Sequence, residues 1–142
     1  MKMVKFGVLS LALAATVSAY AGEVVIVAGP RNFDPIDPDL NITLVKANPG
    51  DTVSWKNMST HNVKSIAVPD GAQPFEGKLS EDFHTVLDKP GAYVFECVPH
   101  ASMGMVGVVL VGDGKPSNMD ALSKSTDPLV KRMYKKLSQK FK

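Results

Sequence analysis

Seven short runs rich in Val, Ile and Thr, each ended by a turn signal, restrict this chain to a β-sheet fold. They are Glu23 to Ala28, Asn41 to Lys46, Thr52 to Trp55, Asn62 to Val68, Phe83 to Leu87, Ala92 to Cys97 and Met105 to Val111. No helical period competes with them before Gly114. Asn48-Pro49-Gly50-Asp51 and Lys89-Pro90-Gly91 read as turns, because Pro fixes one dihedral and Gly accepts the positive one that follows. Strands at this spacing predict a two-layer sandwich. Side chains alternate along a strand, so Ile42 and Leu44 share a face, as do Val53 and Trp55. By the same rule Cys97 leaves its strand pointing the way Tyr93 and Phe95 point, into the apolar end of the core.

The C-terminal segment changes character. Ser117, with Asp120 three residues on, predicts the cap of a short helix, and Asp127-Pro128 is a cap followed by proline at the first helical position. Val130, Met133, Tyr134, Leu137 and Phe141 then form one apolar stripe, with Lys131, Arg132, Lys135, Lys136 and Lys140 largely on the other faces. The stripe is expected to pack on the outside of the sandwich rather than lie on a membrane surface. Residues 22–114 thus read as the sandwich and 115–142 as a helical extension.

At the N-terminus, Lys2 and Lys5 precede an apolar stretch from Gly7 to Val17, and Ala19-Tyr20-Ala21 supplies the small residues of a cleavage site. Residues 1–21 read as an export signal, removed after Ala21. The stretch is shorter than the ~20 residues a membrane span needs. The expected product is a soluble periplasmic protein of one domain. The chain has 16 basic and 14 acidic residues, and loss of Lys2 and Lys5 leaves 14 of each. The remaining charge is polarised: seven basic residues and one acid from Lys124 onward, against seven basic and thirteen acidic from Gly22 to Ser123. An exported chain rarely meets nucleic acid, so these lysines read as a solvated helix face.

The single cysteine cannot form an internal disulfide, so in an oxidising compartment it is buried, paired with another chain or bound to metal. Its neighbours favour metal. Cys97-Val98-Pro99-His100-Ala101-Ser102-Met103-Gly104-Met105, together with His61-Asn62-Val63, offers a thiolate, two imidazoles and a thioether. That is the donor set of a copper electron-transfer site. His84 lies in a strand whose alternation points Phe83 inward, so it reads as a surface histidine. Met103 and Met105 compete for the axial place. Closure of the loop at the start of the final strand favours Met105.

The motifs Lys46-Ala47-Asn48-Pro49-Gly50-Asp51-Thr52-Val53, His61-Asn62-Val63, Pro69-Asp70-Gly71-Ala72, Pro90-Gly91-Ala92-Tyr93, Cys97-x-Pro99-His100-x-x-Met103-Gly104-Met105 and Val111-Gly112-Asp113 resemble the pseudoazurins, a group of cupredoxins. The resemblance covers most of the chain after the leader, including the C-terminal helices. It implies an all-β, cupredoxin-like Greek-key β-sandwich with a C-terminal two-helix extension. It also implies one type 1 copper, cycling between Cu(I) and Cu(II), on His61, Cys97, His100 and axial Met105. Asn62 matches a family asparagine whose N–H donates to the cysteine sulfur and whose side chain ties the two ligand loops.

The resemblance breaks where partners are chosen. Pseudoazurins that serve copper nitrite reductase ring the copper end with lysines, yet here Glu96 precedes the cysteine and Asn57-Met58-Ser59-Thr60 leads into His61. Nitrite reductase is therefore one candidate beside a c-type cytochrome and a periplasmic dehydrogenase, for a monomer that shuttles single electrons without catalysing a reaction. The segment from Arg31 to Leu40 also departs from the family pattern. A copper-carrying or storage protein is the alternative, but the seven methionines are scattered rather than clustered. A Cys-His hydrolase fits poorly, since Cys97 and His100 share one turn and no orienting acid is evident.

Overall fold

The computed structural model describes residues 21–142, so the export-signal expectation for residues 1–21 falls almost wholly outside the described residues. Two sheets face each other. The first, in the order β2-β1-β5-β7, comprises β1 (Glu23–Ala28), β2 (Phe33–Asp34), β5 (Asp51–Lys56) and β7 (Phe83–Leu87). The second, in the order β3-β4-β9-β8-β6, comprises β3 (Ile36–Asp37), β4 (Ile42–Ala47), β6 (Lys64–Ala67), β8 (Gly91–Glu96) and β9 (Val106–Val111). β1 runs parallel to β5 and β4 parallel to β9, while the other pairs are antiparallel. The chain therefore changes sheet repeatedly, as a Greek-key sandwich requires.

The Val/Ile/Thr runs all become strands. Between them, the segment from Arg31 to Leu40 holds two strands of two residues each that the sequence did not announce. β2 borders β1 in one sheet and β3 borders β4 in the other, so this segment links the two layers at one edge. Asp37 holds it in place, accepting the N–H groups of Leu40 and Asp39.

Two cores explain the buried pattern. Between the sheets, Ile26, Phe33, Val53, Trp55, Tyr93, Phe95 and Val109 pack together, with Trp55 and Phe95 edge to face at 5.2 Å. Behind the second sheet, Ile42, Leu44, Val94, Val108 and Leu110 pack on helices α1 (Met119–Ser123) and α2 (Pro128–Lys140). Ile42 and Leu44 do share a face, and it is the one the helices cover. Because both its faces are covered, β9 is buried at every residue, which is why Val-Gly-Val-Val-Leu-Val lacks alternation.

Along α2, Val130, Met133 and Leu137 are fully buried against the sheet, and Tyr134 and Phe141 are partly buried beside them. Asp127 Oδ1 accepts the N–H groups of Leu129 and Val130, capping that helix with Pro128 in its first turn. The expected Ser117 cap is not formed. Asn118 occupies the cap position of α1, and its amide instead bonds both the N–H and the carbonyl of Ala92. Ser117 Oγ turns to the Pro90 carbonyl. Pairing a strand's backbone from outside the sheet outweighs a local cap, because β8 would otherwise leave buried polar groups unpaired. Among the described residues no helix is long and apolar enough to cross a membrane.

Candidate metal centre

Cys97 follows β8 directly, and the strand's alternation delivers its side chain to the core, where it is fully buried and in no disulfide. A short 3-10 helix over Val98–Met103 comes next, with Pro99 near its start. The turn closes on itself: His100 N–H donates to the Cys97 carbonyl, and Gly104 N–H donates to the Ala101 carbonyl. Gly104 takes φ +81°, which favours glycine, and so lets the chain reverse into β9. Cys97 N–H donates to the Met105 carbonyl, and Met105 N–H to the His100 carbonyl. These bonds fix the loop as a rigid staple between two central strands.

His61 arrives from the loop before β6. Its N–H donates to the Met58 carbonyl, and its own carbonyl accepts from Ser80 N–H. Asn62 Oδ1 accepts Val98 N–H at 2.9 Å and so ties this loop to the cysteine loop. Of the two Asn62 contacts that the resemblance implies, this is the one the structure displays. The polar neighbours of the sulfur are the two imidazoles.

Three donor atoms meet here. Cys97 Sγ lies 3.6 Å from His61 Nδ1 and 3.3 Å from His100 Nδ1, and the two nitrogens are 3.1 Å apart. The point equidistant from the three corners of that triangle lies about 1.9 Å from each, within a few tenths of an ångström of the ~2.0–2.1 Å of a zinc–imidazole bond and the ~2.3 Å of a zinc–thiolate bond. Two imidazoles and a thiol aimed at one point from inside a core suit a cation bound in a trigonal set. Burial, with His100 opposite, holds the His61 imidazole below its ordinary pKa, which favours the neutral form a metal requires.

The structure separates the two methionines. Met105 is fully buried in the same core as Cys97, whereas Met103 is 53% exposed. His84 is exposed on β7, away from this cluster. His100 is half-buried, and Val98, Pro99 and Met103 are exposed around its loop. Beside the cysteine, burial raises the Glu96 carboxyl above its usual range, with Asp127 adding to the rise and Lys64 opposing it.

Sequence reasoning missed one neighbour of the loop. A methyl group placed on Gly104 would meet Nη1 of Arg132 at 2.8 Å, so the α2 guanidinium lies over the turn. Helical periodicity assigned Arg132 only to a solvated face, and nothing local signals the contact, which depends on how α2 docks.

The model of the plastocyanin/azurin family of copper-binding proteins matches residues 39–112. The pseudoazurin of Paracoccus pantotrophus is 36% identical over 104 residues, a match covering 71% of this chain and 66%, just under two thirds, of that protein. The pseudoazurin of Methylorubrum extorquens is 37% identical over 119 residues, covering 80% of this chain and 77% of its own. The crystal structure of pseudoazurin from Methylobacterium extorquens AM1 superposes with a TM-score of 0.64 at 34% identity, covering 82% of this chain and 98% of that one. A thiol and imidazole cluster on a matching sandwich leads to one conclusion: the chain belongs to the plastocyanin/azurin family of copper-binding proteins, among the pseudoazurins, with one type 1 copper as its cofactor.

Proposed function

We propose that this protein is a soluble periplasmic electron carrier, released by removal of residues 1–21, in which His61, Cys97, His100 and Met105 would hold the copper. The observation that carries the reading is the triangle of Cys97 Sγ and the two histidine Nδ1 atoms, with edges of 3.1 to 3.6 Å inside a hydrogen-bonded loop. Bound copper supplies a one-electron couple.

The protein's part is to hold its donors still. The backbone bonds from Cys97 to Met105 and from His100 to Cys97 fix the sulfur and one imidazole on a single turn. The Asn62 amide locks the other imidazole's loop to that turn. Donors held in this way would move little on a change of charge, which would keep the cost of reorganisation low. Three converging donors, with buried Met105 in the same core as the sulfur, support a carrier rather than an enzyme. The half-buried His100 ring, set among exposed Val98, Pro99 and Met103, is the natural path for the electron. A small apolar rim permits brief docking, which a shuttle needs.

Candidate partners are a copper nitrite reductase, a c-type cytochrome or a periplasmic dehydrogenase, met by a monomer. Voltammetry of the copper-loaded protein tests the reading. A reversible one-electron wave, with copper retained against a Cu(I) chelator in both oxidation states, is expected. Ready loss of Cu(I) to the chelator with no reversible wave would instead indicate a copper carrier or store.

A further inference from the structure

The exposed side of α2 carries Lys131, Arg132, Lys135 and Lys136, which with Pro128 and Gln139 border a shallow depression of about 460 Å³. The strip does not stop at the helix. Arg132 reaches over Gly104, and a second depression beside it holds Arg31, Met103 and Gly104. Five cations therefore form one band from α2 to the edge of the loop that carries His100. None of the five is in an ion pair among the described residues, whereas Lys56, Lys64, Lys124 and Lys140 each have a carboxylate. The nearest acid on the helix, Asp127, is engaged by the N–H groups of Leu129 and Val130.

Unpaired charges of one sign repel one another, so a band of them is stabilised by an occupant of opposite sign. We infer that this band is the docking surface for an acidic redox protein, which it orients so that the partner's electron-exchange site meets the His100 side of the loop. The inference rests on the electron-carrier reading and adds where, and by what chemistry, the partner is held: to one side of the metal, by α2. An anionic membrane is the weaker occupant. Binding in a bilayer interface draws on an exposed apolar face as well as on charge, and of the α2 stripe Val130, Met133 and Leu137 are wholly buried against the sheet while Tyr134 and Phe141 are partly covered by it.

Two measurements test the proposal. In the first, the redox-inert trianion hexacyanochromate(III) is titrated into the diamagnetic cuprous protein, and paramagnetic broadening of amide signals is mapped. Broadening centred on Arg31, Gly104 and residues 131–139 is expected, and broadening centred elsewhere would overturn the assignment. In the second, the cuprous protein gives one electron to the ferric haem of an acidic or a basic c-type cytochrome. At low salt the wild type is expected to favour the acidic cytochrome. The combined K131Q, R132Q, K135Q and K136Q variant is expected to lose on the order of tenfold in rate with that cytochrome, and little with the basic one. A variant that keeps the wild-type preference would overturn the inference, as would co-sedimentation of the wild type with phosphatidylglycerol vesicles. Failure of the copper reading looks different: the protein would be colourless and transfer electrons to neither cytochrome, while the amide map needs no electron transfer.

Discussion

Asn62 Oδ1 accepts the N–H of Val98 at 2.9 Å, and this one bond joins the loop of the first histidine to the loop of the cysteine. It crosses 36 residues of sequence at the point where the three donor atoms meet. Asn62→Ala is expected to lower stability by about 1–2 kcal/mol, since the Val98 N–H loses its partner. Chemical unfolding measures that loss. Because the two loops are then free to separate, copper should also pass faster to a chelator.

Met103 and Met105 differ by two positions and are opposites in burial, which makes them a matched pair of probes. Met105→Gln is expected to retain copper at a lower reduction potential, because a harder axial donor favours the cupric state. Met103→Gln, on the exposed rim, should leave the potential close to the wild-type value. Voltammetry of the two variants decides between the methionines.

Sequence alone could not separate those methionines by spacing; only the closure of the loop and the family resemblance favoured Met105. Strand alternation, by contrast, was enough to place Cys97 inside, His84 outside, and Tyr93 and Phe95 in the core. Two-residue strands such as Phe33–Asp34 and Ile36–Asp37 carry no period, so the segment from Arg31 to Leu40 gave no sign that it borders both sheets. Asn118 was missed for another reason. Its amide pairs with the Ala92 backbone, a partner 26 residues away that no capping pattern contains. Arg132 over Gly104 belongs to the same class, a tertiary contact with no local signature.

Gly107 sits in the middle of β9, where an added methyl would meet Phe95 Cζ at 2.5 Å and Thr43 Cβ at 2.8 Å. Both neighbours belong to the second sheet, whose faces are covered, so neither has open space to move into. Gly107→Ala is expected to cost about 1–3 kcal/mol through overpacking. A lower urea midpoint would register it.

Asp37 accepts Leu40 N–H at 2.9 Å and Lys140 Nζ at 3.1 Å, joining the end of α2 to the segment that bridges the sheets. The Leu40 bond, aided by Lys140 and opposed by burial, holds this carboxyl below the usual carboxylate range. Its contribution is therefore fully present above the ordinary value of about 3.9 and fades as pH falls through the lowered folded value. Asp37→Asn removes that dependence. Between about pH 5 and pH 2 the wild type should lose more stability than the variant, as thermal unfolding across the range will measure.

The visible absorption spectrum of the Cu(II)-loaded protein, taken beside that of Cys97→Ser, probes the metal centre most directly. An intense thiolate-to-copper band in the wild type, absent from the serine variant, is the predicted result. A colourless wild type, or a serine variant that keeps the band, would contradict the assignment of Cys97, His61 and His100 to one copper ion.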